Sequence, residues 1–124
     1  MKYQITDDRI LIFDKADFNP IHILECGQIF RYKKCDNGNF VVYSQNKFAT
    51  IKTFDDHYEI LTNDTAYFER FFDLKFDYSA LKTKLANQNA TLKLATEFGG
   101  GIRILNQDPV EMIFSFIIRL KAPI

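Results

Sequence analysis

Hydrophobic and polar positions alternate with a period of two from Ile29 to Thr62. That spacing is the mark of half-buried strands. Ile29 to Lys33 is predicted as one strand, Phe40 to Ser44 as the next, then Phe48 to Thr53 and His57 to Thr62. Asn37-Gly38 sits between the first two runs, the strongest short hairpin signal. With Asp55-Asp56 as a further turn, these runs form an antiparallel meander. Two earlier strands are predicted at Met1 to Ile5 and Arg9 to Phe13. Asn19-Pro20 then starts a short helix, with an N-cap residue followed by proline at the first helical position. Ile21, Ile23 and Leu24 give that helix its apolar side. Gly27 falls at its C-terminal end, where a positive φ is wanted.

Past Asn63 the period becomes helical. Tyr67, Phe68, Phe71 and Phe72 share one helix face. Asp77 or Ser79 caps a second helix carrying Leu81 and Leu85, and Asn89 caps a third from Thr91 to Phe98. Gly99-Gly100-Gly101 stops it. Ile102 to Leu105 is extended. Asp108-Pro109-Val110-Glu111 starts another helix, Asp108 as N-cap and Glu111 completing a capping box. The run Met112 to Ile118 is apolar on nearly every side, so it is expected to be enclosed by protein. Only six residues follow Ile118, which offers little to enclose it.

The length of 124 residues fits one domain, and an apolar fraction of 47% with 13 Phe and 6 Tyr argues against disorder. Lys plus Arg and Asp plus Glu balance at 16 each, so the composition advertises no nucleic-acid surface. DNA contact, if made, must use a local patch or another segment. Cys26 and Cys35 in a chain with no apolar leader read as reduced thiols of an intracellular protein. No apolar run is long enough to span a bilayer.

Candidate chemistry is sparse. Cys26, Cys35, His22 and His57 fit no common zinc spacing, so no metal site and no cofactor are predicted. Cys26 follows a helix C-terminus, the wrong dipole end for a thiolate. Asp7-Asp8 and Asp55-Asp56 are turn residues. Gly99-Gly100-Gly101 follows a helix instead of opening one, so it reads as a hinge and not a phosphate cradle. Lys33, Lys34, Lys47 and Lys52 read as a solvated sheet face before a nucleic-acid face. Arg31 points away from Phe30 and Tyr32 and reads as a surface or structural ion-pair residue. Gly27 is either an ordinary helix-end glycine or a place where a flat ligand approaches bare backbone.

Three stretches resemble one family. They are Gly27-Gln28-Ile29-Phe30-Arg31-Tyr32, Tyr67-Phe68-Glu69-Arg70-Phe71-Phe72-Asp73-Leu74, and Gly101 to Glu111 running into the apolar helix. In order and spacing they resemble the N-terminal domain of the 8-oxoguanine DNA glycosylases, with its Gly-Gln-x-Phe-Arg-aromatic and Gln-Asp-Pro-x-Glu signatures. The resemblance runs over nearly the whole chain up to Ile118.

The resemblance implies an α+β fold, a twisted antiparallel sheet with flanking helices like a repeat of the TATA-box-binding protein. Residues 1–106 would be that domain, and residues 107–124 the shortened first helix of a missing helix-hairpin-helix catalytic domain. It implies base excision repair: 8-oxoguanine flipped from double-stranded DNA into a pocket. The carbonyl of Gly27 would accept a hydrogen bond from N7–H of the oxidised base, a proton that guanine lacks. The family's nucleophilic lysine and its aspartate have no position here, so no catalytic residue is assigned, and the chain is expected to be inactive alone and to bind double-stranded 8-oxoguanine DNA weakly or not at all by itself. Where the family has an asparagine-rich stretch, Arg119 to Ile124 stands instead, as a shortened gene, a frameshift or a cut fragment would give. Cys26 replaces a more usual serine. The competing expectations are a free-standing DNA-binding module without chemistry and a domain that self-associates through Met112 to Ile118. The expected location is cytoplasmic and DNA-associated, with no membrane contact.

Overall fold

Alternating burial along the strands builds one sheet with one covered face. The computed structural model describes residues 1–121. Its strands are β1 (Tyr3–Ile5), β2 (Arg9–Ile12), β3 (Tyr32–Lys34), β4 (Phe40–Ser44), β5 (Lys47–Thr53) and β6 (Tyr58–Leu61). The meander β3-β4-β5-β6 forms as predicted, and β6 then pairs with β2 and β2 with β1. Every pairing is antiparallel. Ile10, Ile12, Phe40, Val42, Ala49, Ile51 and Ile60 lie on the covered side, all nearly or fully buried.

The helices are α1 (Pro20–Leu24), α2 (Thr65–Phe71), α3 (Tyr78–Ala86), α4 (Ala90–Phe98) and α5 (Pro109–Lys121), which makes the domain α+β. Phe18, Phe68, Phe71 and Phe72 press onto the sheet, with Phe71 and Phe72 edge-to-face at 5.1 Å between centroids. Burying each such ring is worth about 1.5–3 kcal/mol, and edge-to-face geometry adds to it. The predicted caps at Asn19, Asp77 and Asn89 form, and Asp64 caps α2 as well, each accepting from backbone N–H groups of the first turn that follows.

The β3–β4 turn runs Cys35 to Gly38, with Gly38 N–H donating to Cys35 O at 3.0 Å and Gly38 at φ +86°. Gly38 supplies the left-handed residue that lets the strands re-pair after the turn. Gly101 has the opposite role to the hinge its sequence suggests. A Cβ there would lie 2.3 Å from Asn19 Cβ and 2.9 Å from Asn19 N, so only glycine lets the two backbones touch.

Arg103 departs from the usual behaviour of arginine. It is fully buried, and its guanidinium donates to the carbonyls of Asp17 (2.8 Å), Phe72 (2.9 Å), Asp73 (2.6 Å) and Phe76 (3.0 Å). Its carbon lies 4.2 Å from the Tyr78 ring centroid. Burial lowers its pKa. These bonds collect carbonyls from the turn before α1 and from the loop after α2, and so anchor the extended segment 102–107 that the site is built on.

Three local expectations are corrected. Ile21 on α1 is half exposed at 49%, because Pro20, Ile23 and Leu24 take the buried side. Ile29 to Arg31 is not regular strand; the ladder begins at Tyr32, because Gln28 ties this segment to residues 103–105. Glu111 does not complete a capping box, since its carboxylate is taken by Arg31 and by the backbone of Gln45. Residues 122–124, within the expected 107–124 region, lie outside the described residues.

Candidate functional site

The site grows from the end of α1. Glu25 N–H closes the helix on Ile21 O at 2.9 Å, and the chain turns through Gly27 at φ +93°. That conformation strains any residue with a Cβ. Gly27 is exposed, and the position of a Cβ there has no atom within 4 Å. Open space thus lies where a side chain at this position would point. Among the described residues, no hydrogen bond ends on the Gly27 carbonyl.

Gln28 holds that backbone in place. Its side-chain amide donates to Ile23 O (3.0 Å) and Arg103 O (2.7 Å), while its side-chain oxygen accepts from Leu105 N (3.0 Å). Its own carbonyl accepts from Gln107 Nε2. One side chain therefore does the work of a strand pairing between residues 27–29 and the segment anchored by Arg103. The place of Gln28 in the Gly-Gln motif does not by itself disclose this role.

Helix α5 forms the other wall. Phe30 stacks on Phe116 with centroids 6.4 Å apart. Arg31 Nη1 meets Glu111 Oε1 at 2.6 Å, and Glu111 Oε2 accepts from Gln45 N at 2.6 Å. Arg31 is thus the ion-pair residue expected. Gln45 sits in the β4–β5 turn at φ +55°, and Arg31 also reaches its carbonyl at 3.4 Å. Two clefts adjoin Gly27. One, of about 370 Å³, lies between Gly27, Gln28 and Phe30 on one side and Met112, Ile113 and Phe116 on the other. A second, of about 450 Å³, runs from Gly27 past Glu25 and Tyr32 to Arg119. The first is an apolar slot with the exposed Gly27 backbone on its lining, a shape suited to a flat heterocycle, while the second brings charged side chains beside it.

The other candidates stay apart from this slot. Cys26 is exposed and Cys35 half-buried, both as free thiols, and Cys26 Sγ points to Ile23 O at 3.3 Å. His22 Nδ1 accepts from Gly101 N at 3.3 Å. His57 lies at the far end of β6, between Asp56 (2.6 Å) and Glu59 (3.0 Å) and stacked on Phe54. Hydrogen bonds to Asp56 and then Glu59 raise the pKa of His57, and the same contacts lower those of both carboxyls. Lys47 pairs with Asp64 at 3.3 Å, while Lys33 and Lys34 are exposed. Among the described residues, no group of three or more His, Cys, Asp or Glu is placed to hold a metal ion. No described helix is long and apolar enough to cross a membrane.

Residues 10–113 match the family model of the 8-oxoguanine DNA glycosylase N-terminal domain. Among solved structures, the chain is similar to the apo form of Clostridium acetobutylicum 8-oxoguanine glycosylase/lyase, at 29% identity and a TM-score of 0.82. That match covers 99% of this chain and 44% of the other. The same Clostridium acetobutylicum protein in complex with double-stranded DNA containing cytosine opposite 8-oxoguanine matches at 29% identity and TM-score 0.82, covering 99% and 43%. The chain therefore spans less than half the length of these structures. No curated protein matches it.

Proposed function

The chain belongs to the 8-oxoguanine DNA glycosylase family through its N-terminal domain, and from that premise we propose that it is the lesion-recognising part of a DNA repair glycosylase/lyase. Its ligand is then 8-oxoguanine flipped out of duplex DNA. The Gly27 carbonyl accepts the N7–H of the oxidised base. Guanine presents a lone pair at N7 instead, which faces the carbonyl oxygen with no proton between them, so both acceptors lose a partner. The observation that carries this reading is the exposed Gly27 backbone lining the slot beside Phe30 and Phe116, its carbonyl without a hydrogen-bond donor among the described residues and its following residue Gln28 tied to residues 103–105.

The reading also divides the chain. Residues 1–106 hold the sheet and the Gly27 edge. Residues 107–124 begin the helix that the family places ahead of its catalytic lysine and aspartate. Helix α5 exposes Ile113 (56%), Phe114 (61%) and Ile118 (68%), which fits a helix with a further packing partner. The nucleophile that attacks the sugar C1′ in the family is assigned to no residue of these 124.

Equilibrium binding to duplexes that differ only in 8-oxoguanine or guanine opposite cytosine tests recognition. Preference for the lesion supports the reading, and equal affinity removes it. Borohydride trapping tests the division of labour. The 124-residue chain is expected to give no covalent adduct with 8-oxoguanine DNA; an adduct would place the nucleophile within these residues.

A further inference from the structure

The Arg31–Glu111 pair joins three parts that are distant in sequence. Arg31 follows the Gly27 edge by four residues, Glu111 opens α5, and Gln45 is the strained turn of β4–β5. Glu111 spends one carboxylate oxygen on Arg31 and the other on Gln45 N, both at 2.6 Å. Arg31 completes the ring by reaching Gln45 O at 3.4 Å. The Glu111 side chain is only 20% exposed, while the Arg31 side chain at 39% stays open to water. A helix opening with Asp108-Pro109 has a conventional N-terminal use for Glu111, and the structure spends it elsewhere. Two and five residues further along α5, Ile113 and Phe116 face Gly27 and Phe30 across the slot.

We propose that Arg31 and Glu111 are positioning residues that set the width of the slot between the Gly27 carbonyl and α5, and through it the selectivity for 8-oxoguanine over guanine. The proposal rests on the reading of Gly27 as the lesion-reading acceptor. Neither side chain touches the base. The pair fixes the first turn of α5, and the rigid helix carries that registration to Ile113 and Phe116. A hydrogen bond to the Gly27 carbonyl discriminates only if the base plane is held at bonding distance, because donor–acceptor energy falls steeply with length and angle. If the pair is lost, α5 can swing away, the slot opens, and both bases fit equally without the bond.

The test compares the wild-type chain with Arg31→Glu, Glu111→Arg and the double reversal. Each is measured for affinity to 8-oxoguanine and guanine duplexes, for the Phe30–Phe116 ring contact by nuclear Overhauser effects, and for thermal midpoint. The single reversals are expected to lower the lesion-to-guanine affinity ratio by about tenfold, the loss of one well-made hydrogen bond, and to lose the ring contact. The double reversal restores opposite charges but not the bonds to Gln45, because arginine at 111 cannot accept from Gln45 N and glutamate at 31 cannot donate to Gln45 O, so it is expected to recover both in part, above either single reversal and below the wild type. Single variants that keep the ratio, even with a lower thermal midpoint, would show a merely structural ion pair and overturn the proposal. So would a double variant that regains stability without regaining the ratio. A wild-type ratio of one would remove the Gly27 reading and this proposal together, which separates that failure from the first.

Discussion

Replacing Gln28 with leucine removes the link that holds the Gly27 edge against residues 103–105. Leucine keeps most of the volume and none of the hydrogen bonds. Three bonds are lost, to Ile23 O, Arg103 O and from Leu105 N. At a net value of about 1 kcal/mol each the sum is about 3 kcal/mol. Gln28 is half-buried, so water can reach part of the site, and the lower half of a range of about 2–4 kcal/mol is expected. Urea unfolding with a slope of about 1–3 kcal/mol/M turns this into a midpoint lower by about 1–2 M. Gln28→Glu sharpens the point. It preserves an acceptor for Leu105 N but sets a carboxylate against the carbonyls of Ile23 and Arg103, so at neutral pH its loss should equal or exceed that of leucine. A midpoint that moves by less than about 0.3 M in both variants would refute the claim that Gln28 holds this edge.

Further outcomes follow from other contacts. Gly101→Ala meets the backbone and Cβ of Asn19 and should cost about 1–3 kcal/mol or more in urea unfolding, whereas alanine at an open helix surface such as Lys93 should be neutral; equal stability of the two would contradict the close approach. His57 has its pKa raised above 6.5 in the folded state by Asp56 and Glu59. Its contribution is therefore complete below that value and is lost as pH rises through the raised pKa. Asp56 and Glu59 have lowered values, so theirs is present above 3.8 and 4.5 and is lost as pH falls through the lowered ones. His57→Phe should flatten the urea midpoint against pH above 6.5, and an unchanged profile would count against the cluster. Tyr3 donates to Glu69 at 2.6 Å, and burial followed by that bond pushes its pKa up to about 12. Absorbance titration of the phenolates should lose one late-titrating tyrosine in Tyr3→Phe.

Much of the architecture is legible because local chemistry and global fold agree. The Asn37-Gly38 turn, the alternating strands and the caps at Asn19, Asp77 and Asn89 each act over a few residues, which is the range a sequence displays. What escapes is long-range polar matching. Arg103 looks like a surface charge in Ile102-Arg103-Ile104, and only the fold brings four carbonyls around it. Glu111 looks like a capping-box residue, yet Arg31 lies 80 positions earlier and outcompetes the helix end for it. Ile29 to Arg31 carries strand periodicity, but Gln28 gives this segment a different set of partners. For the site itself, the positive φ at Gly27 was readable from its place after a short helix. The slot was not, since its second wall comes from Met112, Ile113 and Phe116.

The central claim is that one carbonyl reads the oxidised base. Carbon-13 labelling of the five glycine carbonyls, followed by titration with 8-oxo-2′-deoxyguanosine and with 2′-deoxyguanosine, examines that atom directly. The account predicts a downfield shift of the Gly27 carbonyl with the oxidised nucleoside alone, the other four staying in place. A Gly27 signal that is unmoved at saturation, or that moves equally with the normal nucleoside, would contradict it.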